Sequence, residues 1–156
     1  MEIVIRDWTP EDAPAILAVA RLLHGPEGWF DDMGMENIAI DLGFHRGWVA
    51  VRGGQIVGFL TCFTCDGIGR LAWMGVVPAL HRHGIGRKLM ERFENVMRTA
   101  GIKQLEVYTL SDSVDYPPYV PTRAFYRAVG FVDYRREKRA DWKDAETLYL
   151  RKKLRL

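Results

Sequence analysis

The chain of 156 residues has little cysteine, no long apolar run and almost no excess of charge of either sign. Its two cysteines, Cys62 and Cys65, lack the second ligand pair that a structural zinc site needs, and they end a predicted strand, whereas a thioredoxin-like motif opens a helix. No segment approaches the roughly 20 apolar residues of a membrane span, and the first residues lack the layout of a signal peptide. The net charge of +2 is too small to indicate nucleic acid or a membrane as partner. These absences predict a cytoplasmic protein without a metal site.

The rest of the composition is that of a globular domain. Apolar residues make up 48% of the chain and charged residues 27%, which argues against disorder. The length suits one domain, residues 1–156, and the chain shows no repeat, linker or low-complexity run.

Apolar periodicity predicts alternating strands and helices. Strands are predicted at residues 2–7, 48–52, 55–63, 70–77, 104–110, 131–136 and 147–153, and helices at 10–24, 35–42, 85–99 and 122–129. The strand at 104–110 follows a helical crossover, so it is predicted to lie parallel to the strand at 70–77. The order of elements predicts an α/β domain around a mixed sheet.

A glycine-containing basic loop separates the strand at 70–77 from the helix at 85–99. Glycines let several backbone N–H groups converge, and a helix N-terminus adds about half a positive charge. The loop favours a cofactor with a phosphate or pyrophosphate, and it matches neither a P-loop nor a Rossmann fingerprint. Its residues are His81, Arg82, His83, Gly84, Ile85, Gly86, Arg87 and Lys88.

The strand before this loop suggests how an extended ligand binds. If the strands at 70–77 and 104–110 splay apart, their unpaired backbone groups can pair with a ligand that carries amides, such as a pantetheine arm. Gly75 interrupts an otherwise bulky strand, which is typical of a bulge or of close approach by a ligand.

Two segments resemble the signatures of the GNAT superfamily of N-acyltransferases. Residues 73–90 resemble its acetyl-CoA motif, and residues 122–131 resemble its second signature, a short helix that carries a tyrosine, Tyr126, and ends in Gly-Phe. The resemblance implies a mixed, mostly antiparallel sheet with a splayed parallel pair of central strands, flanked by helices. It also implies an N-acetyltransferase that moves an acetyl group from acetyl-CoA to a primary amine.

The resemblance implies roles for individual residues. Amides of the loop would bind the CoA pyrophosphate, and the backbone around Gly75 would pair with pantetheine. An N–H of Val76 or Val77 would polarise the thioester carbonyl, and Tyr126 would protonate the departing thiolate. The cofactor-binding set is Gly75, Val76, Val77, His81, Arg82, His83, Gly84, Ile85, Gly86, Arg87, Lys88, Ser111 and Tyr126.

The chain departs from the family pattern at three positions. His81 replaces the usual Gln or Arg, Ser111 replaces a frequent asparagine, and Arg70 stands where many members carry a glutamate base. The base is therefore predicted among loop carboxylates, first Asp112 and Asp115, with Asp66, Glu27 and Asp31 as further candidates. Each of these also fits a solvated loop carboxylate.

Two loops are rich in aromatic residues and acids, which suits an acceptor with an amine and an apolar part, either a small molecule or a peptide. The predicted substrate-binding residues are Trp29, Phe30, Asp31, Tyr116 and Tyr119, which could equally pack the two loops together. Neither cysteine is well placed to carry an acyl group, so direct attack by the amine is predicted. The alternative is a catalytically weak acyl-CoA sensor or interaction module. The resemblance also makes a homodimer plausible.

Overall fold

A computed structural model describes residues 2–155, and within them it contains one seven-stranded sheet. The strands are β1 (Ile3–Asp7), β2 (Arg46–Arg52), β3 (Gln55–Cys65), β4 (Ile68–Val76), β5 (Gln104–Leu110), β6 (Val132–Arg139) and β7 (Ala145–Lys153). The helices are α1 (Ala13–Leu22), α2 (Asp32–Asp41), α3 (Ile85–Thr99) and α4 (Val120–Ala128). The strand order is β1-β2-β3-β4-β5-β7-β6.

The sheet is antiparallel except between β4 and β5. These two strands pair only at Ile68–Gln104, Gly69–Leu105 and Arg70–Glu106, and beyond Arg70 strand β4 continues in register with β3 alone. The predicted fold class is therefore confirmed, including the splayed parallel pair. The splay leaves an open edge on β4 and another on β5.

Each face of the sheet has its own hydrophobic core. On one face, α3 buries Leu89 and Phe93 against Leu105 and Leu150 of the sheet. On the other face, α1 packs on β3 and β4, and its Ile16 belongs to the second core. The same face of β5 is more open, and Tyr108 there is 45% exposed.

The helix boundaries follow local capping. Helix α2 begins three residues before its predicted start, because Oδ1 of Asp31 accepts a 2.7 Å hydrogen bond from the Gly34 N–H and so caps the first turn. Helix α4 begins at Val120, two residues before its predicted start. Among residues 2–155, no helix is long and apolar enough to cross a membrane.

Candidate functional site

The loop between β4 and α3 presents a run of free backbone donors. The N–H groups of residues 82–87 have no hydrogen-bond partner among the described residues, whereas those of His81 and Lys88, on either side, donate to Pro78 and Gly84. Arg82 and Gly84 have positive φ angles of 66° and 78°, and residues in this conformation typically turn successive amides toward one anion-binding concavity. This geometry, at the N-terminus of a 15-residue helix, fits a pyrophosphate.

The side chains of the loop divide into two groups. Those of Arg82, His83, Arg87 and Lys88 are exposed, so they can add charge around the amides. The ring of His81 is engaged elsewhere, because its Nε2 lies 2.7 Å from the carbonyl oxygen of Val76. This contact places Nε2 at the end of β4 and argues against the predicted phosphate contact of His81.

The open edge of β4 presents the backbone of Val76. The Val77 N–H donates to Val57 of β3, and since backbone groups alternate along a strand, the N–H and C=O of Val76 point away from β3 into the splay. The His81 contact with the Val76 carbonyl agrees with this direction. Of the two predicted carbonyl-polarising donors, Val77 is therefore occupied and Val76 is available.

Gly75 has a packing role. A Cβ at this position would lie 2.7 Å from Leu23 and 2.9 Å from Phe59, so its absence lets α1 approach the sheet. The bulge lies at Ala72, since Leu71 and Trp73 pair with the adjacent residues Cys62 and Thr61. The predicted bulge or ligand approach at Gly75 is therefore not needed to explain this glycine.

Tyr126 of α4 lies on the α3 side of the sheet. It is 6% exposed and packs edge-on between Phe125 and Phe131. Burial raises its pKa, with a smaller contribution from nearby Tyr119, so the phenol stays neutral at physiological pH. Its hydroxyl has no hydrogen-bond partner among the described residues. A neutral phenol can donate a proton to an anion that develops beside it.

The predicted substrate-binding residues join two loops. Trp29 Nε1 donates a 2.8 Å hydrogen bond to Thr122 Oγ1. The Tyr119 hydroxyl donates to the carbonyl of Trp29 at 2.6 Å, and the Tyr116 hydroxyl donates to that of Gly28 at 2.7 Å. The loop before α2 is thus bound both to the loop before α4 and to the first turn of α4.

The remaining two predicted substrate residues lie on the side of the sheet that α1 covers. Phe30 is buried and packs edge-on against Trp73 of β4, with ring centroids 5.8 Å apart. Asp31 is exposed, and its charge contributes to the raised pKa of Tyr119, whose main cause is burial. Phe30 therefore lies on the α1 side of β4, against the part of the strand that no longer pairs with β5.

The acids of the long loop differ from each other. Asp112 pairs with Arg136 at 3.2 Å and Arg127 at 3.6 Å, and the hydrogen bond from Arg136 is the main cause of its lowered pKa. These contacts favour the ionised form of Asp112 over the protonated form, so Asp112 is a weak proton acceptor and is unsuited to the predicted role of base. Asp115 is exposed and has no hydrogen bond among the described residues.

Ser111 does not offer its hydroxyl for the predicted role in cofactor binding. Its side chain is fully buried, and its Oγ donates a 2.7 Å hydrogen bond to Oε1 of Glu146. The hydroxyl therefore fixes the end of β5 against β7 and is not free for a cofactor.

Sequence reasoning missed one charged cluster and one hydrogen-bond acceptor. Arg70 and Glu106 form the last pair before the splay, and Arg151 Nε donates a 2.7 Å hydrogen bond to Glu106. Thr122 accepts the bond from Trp29. No local signal marks these residues, because each contact joins segments far apart in the chain.

Comparison with known proteins agrees with this geometry. The family model described as "Acetyltransferase (GNAT) domain" matches residues 43–133. A protein from Desulfovibrio desulfuricans assigned to the GNAT family has a similar fold at 22% identity and a TM-score of 0.80, over 97% of this chain and 99% of that one.

Two further solved structures share the fold. The ribosomal-protein-S18-alanine N-acetyltransferase of Escherichia coli is 16% identical with a TM-score of 0.79, over 99% of this chain and 96% of that one. The PaiA N-acetyltransferase of Thermoplasma acidophilum, solved with coenzyme A, is 19% identical with a TM-score of 0.74, over 99% of this chain and 100% of that one.

Proposed function

The chain belongs to the GNAT family of acetyltransferases, and from this we propose that it moves an acetyl group from acetyl-CoA to a primary amine. One observation carries the proposal: the run of unpartnered N–H groups at residues 82–87, directly after the strand whose edge is open. A run of free amides beside an unpaired strand edge fits a ligand that has both a pyrophosphate and an amide-containing arm.

We assign the donor site as follows. The amides of residues 82–87 bind the pyrophosphate, and the exposed side chains of Arg82, His83, Arg87 and Lys88 add positive charge. The pantetheine arm pairs with the open edge of β4. The N–H of Val76 then donates to the thioester carbonyl oxygen and stabilises the negative charge that develops there.

The transfer proceeds by direct attack. The amine nitrogen bonds to the thioester carbonyl carbon, the carbon–sulfur bond breaks, and its electron pair leaves with sulfur. Tyr126 donates its phenolic proton to that sulfur, which fits its neutral, buried phenol. A cysteine acyl intermediate is disfavoured at Cys62, because burial raises the pKa of its thiol to about 12 and keeps it protonated. Cys65 is disfavoured by its place, since it pairs with Ile68 at the opposite end of β4 from Val76.

The amine must lose a proton before or during attack, and the carboxylate of Asp31 is the base that we propose for this step, through Oδ2, since its Oδ1 caps helix α2. Asp31 follows Phe30, which packs on Trp73 of β4, and its negative charge contributes to the raised pKa of Tyr119. Asp115 is the second proposed candidate. Asp112 is set aside because two arginines pair with it.

One observation favours the alternative of a weakly catalytic acyl-CoA sensor. Arg70 occupies the strand position where a glutamate base is common, and a guanidinium cannot accept a proton. Tyr126 favours the enzyme, because the proton donation that we assign to it has a role in acyl transfer and none in a sensor. A cytoplasmic location and a homodimer stay predictions from the sequence.

Turnover of acetyl-CoA with a panel of primary amines tests the proposal. We expect thiol release that depends on the amine, and an acetylated product of the added amine by mass spectrometry. CoA binding by calorimetry serves as the parallel measurement. Tight CoA binding without product from any amine would favour the sensor, and absence of CoA binding would contradict both functions.

A further inference from the structure

The guanidinium of Arg70 has far fewer partners than its donors require. Its contact with protein charge is a 3.6 Å approach of Nη1 to Oε1 of Glu106, which is longer than a hydrogen bond. Its Nε is buried and has no hydrogen-bond partner among the described residues. An arginine has five N–H donors, and those on Nη1 and Nη2 belong to a side chain that is 33% exposed, so they are free to bind an acceptor from solution.

Glu106 does not supply that acceptor, because another arginine already binds it. Arg151 Nε donates to Oε2 of Glu106 at 2.7 Å, and the carboxylate is only 7% exposed. The three residues together contain two positive charges and one negative charge. The cluster therefore has a surplus of one positive charge, which a single carboxylate would neutralise.

The cluster faces the side of the sheet on which we place the acceptor. A Cβ on the neighbouring Gly69 would contact Met97 of α3, so Arg70 points to the opposite face. That face also holds Phe30 and Trp73. The side chain of Arg70 is 33% exposed, so a small molecule in the splay can reach it.

We propose that Arg70 binds a carboxylate of the acceptor, and that the acceptor is an amino acid whose amine and carboxylate are several bonds apart. The separation follows from the strand: Arg70 and Val76, whose N–H is assigned to the thioester, pair with Phe63 and Gly58 of β3, so about 16 Å of strand lies between them, of which the arginine side chain covers only part. An ω-amino acid meets both requirements. The inference rests on the proposed acetyl transfer.

A length series of acceptors tests the inference. Glycine, 4-aminobutyrate and 6-aminohexanoate are compared with hexylamine, which keeps the chain and lacks the carboxylate. We expect kcat/KM to be highest for 6-aminohexanoate and much lower for hexylamine and glycine. Arg70→Gln should lower kcat/KM for 6-aminohexanoate roughly 10- to 100-fold, mainly by raising KM. The same variant should leave kcat/KM for hexylamine unchanged.

Two variants separate recognition from structure. Arg70→Lys keeps the charge without the planar fork and should restore part of the loss. Arg52→Gln, at an exposed position on the distant strand β2, should leave kcat/KM unchanged for both 6-aminohexanoate and hexylamine. Equal turnover of 6-aminohexanoate and hexylamine by the native protein would overturn the inference, as would an equal loss for both in Arg70→Gln.

Binding of hexanoate, which has the carboxylate but no amine, gives a readout without catalysis. We expect calorimetry to detect binding to the native protein with CoA present, and Arg70→Gln to abolish it. If no amine is acetylated but hexanoate binds through Arg70, the proposed function fails and the carboxylate site stands. If hexanoate does not bind, the inference falls even where amines are acetylated.

Discussion

Trp29 and Thr122 lie 93 residues apart in the chain and are joined by a 2.8 Å hydrogen bond from the indole N–H to the threonine hydroxyl. Trp29 belongs to the loop before α2, and Thr122 to the first turn of α4, the helix that carries Tyr126. This hydrogen bond therefore joins the proposed acceptor loop to the helix that carries the proposed proton donor. Tyr119, which donates to the carbonyl of Trp29, reinforces this connection.

The first prediction concerns this bond. Trp29→Phe and Thr122→Val each leave one partner unpaired in a partly buried place, whereas the double variant removes both. We expect a coupling free energy of about 0.5–1.5 kcal/mol between the two sites. Urea unfolding of the four proteins measures it.

A distant threonine provides the control for this cycle. Thr99 lies at the end of α3, and its hydroxyl donates to the carbonyl of Asn95. Trp29→Phe and Thr99→Val should therefore be additive in their effects on the free energy of unfolding. Additivity between Trp29→Phe and Thr122→Val would show that the bond contributes nothing to stability.

The second prediction concerns the acid. Tyr126→Phe removes only the hydroxyl and keeps the ring packed against Phe125 and Phe131. We expect kcat to fall about 100-fold or more, because general acid catalysis contributes that much, while the Kd for CoA stays the same. Tyr134→Phe, at a side chain that is 53% exposed, should have native kcat. A fully active Tyr126→Phe would remove Tyr126 from the mechanism.

Periodicity alone predicts the best-defined elements of the fold. The bounds of α3 and β5 agree with the predicted ranges 85–99 and 104–110, because glycines or polar residues end clear apolar patterns there. The free amides at residues 82–87 also follow from a local signal, the glycine loop before a helix.

Contacts between distant segments explain what the sequence does not show. The partners of Asp112 are Arg127 and Arg136, which β6 and α4 bring to the loop only in the folded chain. In the same way, the cluster of Arg70, Glu106 and Arg151 requires the register of three strands. A side chain's freedom to act as a base depends on such partners, so the base could not be assigned from sequence.

The third prediction concerns stability and pH. Arg6 binds Asp12 through two hydrogen bonds of 2.8 and 3.0 Å, which are the main cause of the lowering of the Asp12 pKa from 3.8 to about 2. Because the pKa is lower in the folded state, the ion pair stabilises the protein above pH 4, and this stabilisation is lost as the pH falls toward 2. The pair is partly solvated, since Arg6 is 44% exposed, so we expect about 1 kcal/mol.

Arg6→Gln should therefore lower the free energy of unfolding by about 1 kcal/mol at pH 7, and the difference from the native protein should shrink between pH 4 and pH 2. Denaturant unfolding at pH 7, 4 and 2.5 checks this, with Arg52→Gln as an exposed arginine control that should show little effect at any pH. A difference that is independent of pH would mean that Arg6 acts through packing and not through Asp12.

The fourth prediction uses two glycines of matched conformation. Gly84 in the loop before α3 and Gly54 in the β2–β3 turn have φ angles of 78° and 79°, and a Cβ at either position would meet no atom within 4 Å. Alanine is strained at such angles, so Gly84→Ala and Gly54→Ala should each lower the free energy of unfolding by about 1 kcal/mol. Only Gly84 belongs to the run of free amides, and relief of the strain there would turn those amides away from one another. We expect Gly84→Ala to weaken CoA binding about tenfold or more in calorimetry and Gly54→Ala to leave it unchanged. Equal CoA affinity in the two variants would show that the curl of this loop does not determine pyrophosphate binding.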